Sequence, residues 1–225
     1  MKIFLDIETL PTADNSVINE IKASIKPPAT IKKPESIAEW YKTNGDEAAA
    51  AAVKATSFDA LYGSIACICY AVEDEPVRFV DCLQGERIML QTFYTRLTEE
   101  VARVKTISHV RPQFIGHNIS GFDLPFLRQR SMLLDVPPPS FVLQAYQAKP
   151  YDTQIIGDTM LMWHSDRTKR VSLDKLCRAF GLQGKGDFNG SMVADTWYSD
   201  PHKVIEYCKQ DVEMTRSLYN RMVFQ

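Results

Sequence analysis

Residues 2–9, Lys-Ile-Phe-Leu-Asp-Ile-Glu-Thr, follow a two-residue period that an extended strand converts into two distinct faces. Ile3, Leu5 and Ile7 then project to one side, and Phe4, Asp6 and Glu8 to the other. Packing the apolar side into a core fixes two carboxylates beside each other where the strand runs out into a loop.

The segments that follow show what covers this strand. Two β-rich stretches, residues 65–72 and 77–82, flank the charged turn Glu73-Asp74-Glu75-Pro76 and predict a hairpin. The period then changes. Ile88, Leu90, Phe93, Tyr94, Leu97 and Val101 mark a helix, residues 113–116 a short strand, and residues from about 124 to 134 another helix. Pro137-Pro138-Pro139 interrupts the chain, residues 172–180 read as a short helix that Gly181 can end, and Asp200-Pro201 opens a last helix running almost to the C-terminus. Strands first and β/α alternation afterwards predict an α/β fold, a mixed sheet flanked by helices.

Between Pro11 and about Ser57 the pattern departs from this plan. Lys26-Pro27-Pro28 and Lys32-Lys33-Pro34 are followed by two helix-favouring stretches, residues 35–42 and 46–56, the second with an alanine run. The expectation is one domain, residues 1–225, carrying a partly helical insertion at about 12–57 after its first strand.

Composition narrows the function classes. With 45% hydrophobic residues in 225, the chain can bury a substantial core. A net charge of -2 argues against wholesale phosphate neutralisation, leaves room for local basic patches, and decides little more. Carboxylates appear too early for a signal-peptide core, and nowhere do about 18 apolar residues run together, so a soluble, intracellular (cytoplasmic) protein without a membrane partner is expected. The five cysteines are scattered, with no Cys-x-x-Cys pair, and are read as buried free thiols.

Three acidic segments carry the chemistry. Asp6 and Glu8 offer hard oxygen ligands to a divalent cation, although an isolated Asp-x-Glu also describes an exposed strand edge. The second segment, Phe114 to Leu127, leads from a strand through a polar turn into a helix with Asp123 at its entrance. An N-cap would explain Asp123, with Pro125 suited to the first turn. Capping leaves Asn118 and the glycines Gly116 and Gly121 unexplained, and these allow close backbone approach to a ligand. In the third, Tyr207-Cys208-Lys209-Gln210-Asp211, a spacing of four puts Tyr207 and Asp211 on one helical face.

In this order the segments resemble the DEDD superfamily of 3′→5′ exonucleases, most closely its tyrosine-bearing (DEDDy) branch, as found in the proofreading domain of family B DNA polymerases. Phe4 to Thr9 matches the Asp-x-Glu motif, Gly116 to Asp123 the Gly-x-Asn and Phe-Asp motif, and Tyr207 to Asp211 the Tyr-x-x-x-Asp motif. In the histidine branch the base lies five residues before the last aspartate; here that position is Glu206, and His202 is nine residues away. The resemblance implies a ribonuclease H-like (DnaQ-like) fold with a mixed five-stranded sheet and Asp6, Glu8, Asp123, Tyr207 and Asp211 as catalytic residues. It implies two divalent cations, Mg²⁺ or Mn²⁺, on the four carboxylates, with Asp6 bridging, in keeping with an all-oxygen donor set. Thr9, Asn118 and Phe122 are implied near the terminal nucleotide, and Phe122 reads equally well as a plain core residue.

The activity so implied is phosphodiester hydrolysis from the 3′ end of DNA, with a single strand as the expected partner. As no polymerase segment follows, a stand-alone nuclease of repair, recombination or replication is expected. An exoribonuclease or oligonucleotide-trimming enzyme is the alternative, since the metal motifs do not read the 2′-OH. A non-catalytic nucleic-acid-binding protein is the second alternative; the presence of all five site residues speaks against it. Asp152 and Asp158 are read as helix caps in preference to auxiliary acidic residues near the cleft. Lys169, Arg170, Lys175, Arg178 and Lys185 stand where phosphate contacts or a solvated helix face would be. Lys26, Lys32, Lys33 and Trp40 of the insertion offer charge and stacking for a clamp on single-stranded substrate. His109, His117 and His164 are expected to be structural or surface residues.

Overall fold

A computed structural model describes residues 1–105, 111–166 and 168–225. The expectation for His109 lies outside the described residues. The chain clusters into two units, Met1–Glu8 with Ile65–Gln225, and Thr9–Ser64.

The larger unit is built on a five-stranded sheet of order β3-β2-β1-β4-β5, with strands β1 (Lys2–Leu10), β2 (Ser64–Val72), β3 (Arg78–Asp81), β4 (Gln113–Gly116) and β5 (Ile156–Asp158). The predicted hairpin is β2–β3, antiparallel with Cys67 opposite Asp81 and Tyr70 opposite Arg78. β1 runs parallel to β4, pairing Ile3 with Phe114, and β4 runs parallel to β5, pairing Gly116 with Asp158. The sheet is therefore mixed, as the order of segments predicted. β2 is buried from Ile65 to Val72, which requires cover on both faces.

That cover is helical. The chain forms α1 (Asn15–Ser24), α2 (Pro34–Ala55), α3 (Glu86–Lys105), α4 (Asp123–Leu133), α5 (Ser140–Gln147), α6 (Thr159–His164), α7 (Leu173–Ala179), α8 (Val193–Trp197) and α9 (Pro201–Met222). α9 packs on β3 and β4, burying Val204, Ile205, Cys208, Val212, Leu218 and Tyr219 at helical spacing. Asp200 starts it by accepting from the Lys203 backbone N–H at 3.1 Å, and Pro201 suits its first turn. Phe4, on the carboxylate face of β1, is buried edge-on against Tyr219 at 6.0 Å. Arg130 of α4 forks onto Glu86 of α3, with Nε at 2.9 Å from Oε1 and Nη2 at 2.6 Å from Oε2, while Glu86 Oε1 also accepts from Ile65 N of β2 at 2.9 Å. Three elements are thereby pinned together.

Three short elements were not foreseen, β5, α5 and α8, and α6 was implied only by the cap expected of Asp158. Each is too brief for a period to register, and local side chains define them instead. Asp158 caps α6, accepting from the N–H groups of Met160 (3.1 Å) and Leu161 (3.3 Å). Gly157 belongs in β5 because a Cβ there would stand 2.9 Å from Ile115 Cγ1.

The smaller unit is helical. α1 is capped by Asp14, which accepts from Ser16 N at 2.8 Å, and was not anticipated. The two predicted helical stretches are one helix, α2, continuous through Gly45; the cost of glycine in a helix, about 1 kcal/mol, does not break it. Tyr41 hydrogen-bonds the Ile25 carbonyl at 3.1 Å, and Thr56 Oγ1 accepts from Thr12 N at 2.9 Å and donates to the Val53 carbonyl at 2.6 Å. Lys26, Lys32 and Lys33 are exposed, and Trp40 meets Tyr41 edge-on at 5.4 Å. Among the described residues no helix is long and apolar enough to cross a membrane.

Candidate active site

Three of the four predicted carboxylates meet directly: oxygens of Asp6, Glu8 and Asp211 lie within 4.8 Å of one another. Asp6 and Glu8 arrive through the two-residue period of β1, Asp211 from the buried face of α9. Asp123 joins by another route. It is the first residue of α4, the residue before it makes no side-chain cap, and its Oδ1 accepts from the backbone N–H of Ile7, between Asp6 and Glu8, at 3.1 Å. Capping therefore does not account for Asp123; its carboxylate is braced against β1.

The charges are crowded. Asp6 is held well above the usual carboxylate range by burial, then by the negative charges of Asp211 and Asp123. Glu8 is raised by burial and by Asp6. Burial pushes Asp123 up to about 7, although its own N–H and that of Ile7 oppose the shift. Asp211 is also raised by burial, with Lys185 pulling it back. Asp211 Oδ2 pairs with Lys185 Nζ, while its Oδ1 is sealed from solvent and accepts no hydrogen bond. Converging carboxylate oxygens, one of them without a partner, fit a hard divalent cation of the Mg²⁺ or Mn²⁺ kind.

Tyr207 shares the α9 face with Asp211. Its hydroxyl accepts from Lys185 Nζ at 2.6 Å, and its ring packs edge-on against Phe188 at 5.0 Å. Burial, then the Asp211 charge, raises its pKa above the ordinary phenol value, so the group stays a neutral donor and acceptor at neutral pH. The position five before Asp211 points elsewhere: Glu206 is exposed and paired with Lys209 at 2.6 Å.

Lys185 is the central residue that sequence reasoning placed only at the periphery. Burial works against its charge, yet Asp211 outweighs that and raises its pKa. Its backbone is clamped from α7: Lys185 N donates to Asp174 Oδ1 at 2.7 Å and Arg178 Nη2 donates to the Lys185 carbonyl at 3.2 Å. Arg178, read as either a phosphate contact or part of a solvated helix face, is committed to this clamp and to Asp174. A Cβ at Gly184 would push aside the Asp174 carboxylate and the Arg178 guanidinium that make this clamp. The lysine flanked by two glycines was the available signal.

A cleft of about 690 Å³ opens on Asp6 and Asp211, walled by His117, Asn118, Arg170, Lys175 and Lys185; cavities of roughly 300–1,000 Å³ suit small ligands. Asn118 takes a left-handed backbone (φ 64°) and its Oδ1 accepts from Arg170 Nη1 at 2.7 Å. Thr9 follows Glu8 on β1 and is buried. Phe122 is half-buried and tilted against Phe126 at 5.5 Å. His117 is structural as expected, bridging Thr159 Oγ1 (2.9 Å) and the Val171 carbonyl (2.8 Å). His164, half-buried, borders the cleft; Lys169 is exposed.

Two expectations need correction. Gly116 and Gly121 do not open the loop to a ligand: a Cβ on Gly116 would lie 2.6 Å from Ile119 Cβ, and one on Gly121 would meet Asn118 Oδ1. They let the loop fold on itself. Asp158 caps a helix as predicted, but it also accepts from the N–H groups of Asn118 (3.0 Å) and Ser120 (3.1 Å) and from the Ser120 hydroxyl (2.6 Å). Asp152 caps no helix; its Oδ1 accepts from Gln154 N at 3.2 Å in a turn.

Comparison with known proteins follows the same line. The fold is similar to that of the family B DNA polymerase from the hyperthermophilic archaeon Pyrobaculum calidifontis, with a TM-score of 0.60 and 16% identity over 99% of this chain and 24% of the polymerase. The chain thus spans about a quarter of that polymerase's length, and the shared architecture is the ribonuclease H-like α/β fold. A search of curated proteins finds no match. Residues 64–225, which hold Asp123, Lys185, Tyr207 and Asp211, match the family described as "Predicted 3'-5' exonuclease related to the exonuclease domain of PolB", and the chain belongs to that family.

Proposed function

We propose that the chain removes nucleotides from the 3′ end of DNA, with a single strand as the preferred substrate, using two divalent cations on Asp6, Glu8, Asp123 and Asp211. The observation that carries this reading is the convergence of Asp6, Glu8 and Asp211 oxygens within 4.8 Å, on a carboxylate, Asp211, whose Oδ1 is buried without a partner. Such cations would supply activation of the attacking water and stabilisation of the leaving oxygen.

The chain's own groups do the rest. Asp6, whose carboxylate feels the charges of both Asp211 and Asp123, would serve as the shared ligand. The Tyr207 hydroxyl, neutral and fixed by Lys185, orients the attacking water rather than abstracting its proton. Lys185, Arg170 and Lys175 bring positive charge to a cleft whose floor is acidic, and so receive the phosphates. Asp211 would hold one of these cations, and Lys185, paired with Asp211 here, would then have its ammonium available for the scissile phosphate. We assign Asn118 to the terminal nucleotide, since its side chain lines the cleft. A role in repair, recombination or replication is in keeping with such an activity.

The test uses 5′-labelled single-stranded DNA and a matched RNA, each with Mg²⁺, Mn²⁺ or chelator. A DNA ladder shrinking from the 3′ end is expected, metal-dependent and lost in Asp6→Ala, with a fall of about 10²-fold in Tyr207→Phe. Intact DNA under every condition, or Asp6→Ala digesting as fast as wild type, sinks the reading. Faster loss of the RNA would assign an exoribonuclease instead.

A further inference from the structure

The five cysteines carry no disulfide, but the fold gathers three of them. Cys67 and Cys69 lie two apart on β2 and so share a face, and Cys208 comes from α9, next to Tyr207. Their sulfurs lie within 4.8 Å of one another, and all three residues are completely buried. Cys208 Sγ donates to Asp6 Oδ2 at 3.4 Å and to the Asp6 carbonyl at 3.5 Å. A soft donor set thus backs directly onto the hard one.

The geometry suits one ion. In a tetrahedral zinc site, Zn–S of about 2.3 Å and Zn–O of about 2.0 Å place neighbouring sulfurs about 3.8 Å apart and sulfur and oxygen about 3.5 Å apart. The Cys208–Asp6 pair already has the latter spacing, and the sulfurs need to close by no more than about 1 Å to reach the former. Three thiolates select zinc-class ions, whereas the carboxylates of Asp6, Glu8 and Asp211 select magnesium or manganese.

We propose that Cys67, Cys69 and Cys208, with Oδ2 of Asp6, form a site for a single thiophilic cation of the Zn²⁺ or Cd²⁺ class, whose binding withdraws Asp6 from the carboxylate centre. Binding displaces the thiol protons to solvent. Occupancy draws Asp6 Oδ2 towards the sulfurs, so the same ion acts as an inhibitor. The ion-binding half stands on the sulfur geometry alone; the inhibitory half rests on the exonuclease reading above.

The experiment titrates Cd²⁺ into the full chain, with thiols kept reduced by a phosphine and Mg²⁺ in excess. One equivalent is expected to produce the ultraviolet thiolate-to-cadmium charge-transfer band and to cut nuclease activity at least about ten-fold. Cys67→Ala combined with Cys69→Ala should lose both responses and keep the magnesium-dependent activity, while Cys82→Ala should keep both. Absence of the band in the wild type, after prolonged incubation and in protein produced in cadmium-supplemented medium, overturns the site, as does a band that survives the double substitution. A band with unchanged activity overturns the inhibitory half. A chain inactive on every nucleic acid would sink the nuclease reading while the band still decides the site.

Discussion

Lys185 donates a 2.6 Å hydrogen bond to the hydroxyl of Tyr207 and shares the same ammonium with the carboxylate of Asp211. With side chains only 19% and 8% exposed, the Lys185–Asp211 pair compensates a charge that would otherwise be buried alone.

Lys185→Met should therefore cost about 3 kcal/mol of folding stability in chelator, the penalty for leaving one partner of a buried pair uncompensated. Mn²⁺ should restore most of it by taking over Asp211. Urea unfolding with and without metal checks this. An equal loss in both media would mean that Lys185 is not standing in for an ion.

Proton and metal compete for the same oxygens. The folded pKa of Asp123 is raised from 3.8 to about 7, so its contribution to metal-free stability is present below 3.8 and is lost as pH rises through about 7. Mn²⁺ should accordingly raise the melting temperature more at about pH 8 than at about pH 6, where the carboxylates hold protons. Asp123→Asn, whose amide oxygen can still accept from Ile7, should flatten the metal-free pH dependence. A metal-induced shift of the same size at both pH values would refute the competition.

His117 titrates with the opposite sign. Burial lowers its pKa from 6.5, so the stability tied to the neutral ring is full above 6.5 and is lost as pH falls below it, where the unfolded chain binds the proton first. The stability advantage of wild type over His117→Gln should narrow between about pH 7.5 and pH 5. Denaturant unfolding at the two pH values measures it; a constant gap would show that the ring takes up its proton without cost.

Asp158→Ala should lose about 2–3 kcal/mol, since it removes the α6 cap and strips three hydrogen bonds from the loop bearing Asn118. If that loop holds the terminal nucleotide, KM should rise more than kcat falls. An unchanged KM would detach the loop from substrate binding.

Much of the sheet was legible because β1 alternates and the β-rich stretches are set off by turns: β2, the hairpin turn and β4 fall where that composition put them. The same holds for Asp6 and Glu8 on one strand face, and for Tyr207 and Asp211 on one helix face. What escaped was set by tertiary contact. β5 has three residues, and its glycine answers to Ile115 across the sheet. Lys185 lies in a glycine-flanked loop without a period, and its importance comes from α7 clamping its backbone while α9 receives its side chain. Cys208 is far in sequence from Cys67 and Cys69 and joins them only when α9 packs against β2. Spacing along a chain reports partners within an element, whereas partners between elements need the fold.

The hydrogen bond from Ile7 N to Asp123 has a wider meaning. It fastens the helix-borne carboxylate to the peptide unit between the two strand-borne ones, so three acids inherit their separations from backbone geometry rather than from rotamer choice. Loops around the cleft can then diverge, lengthen or change their preference among nucleic-acid ends without disturbing the reactive centre. A chain organised this way separates the part that cuts from the part that chooses.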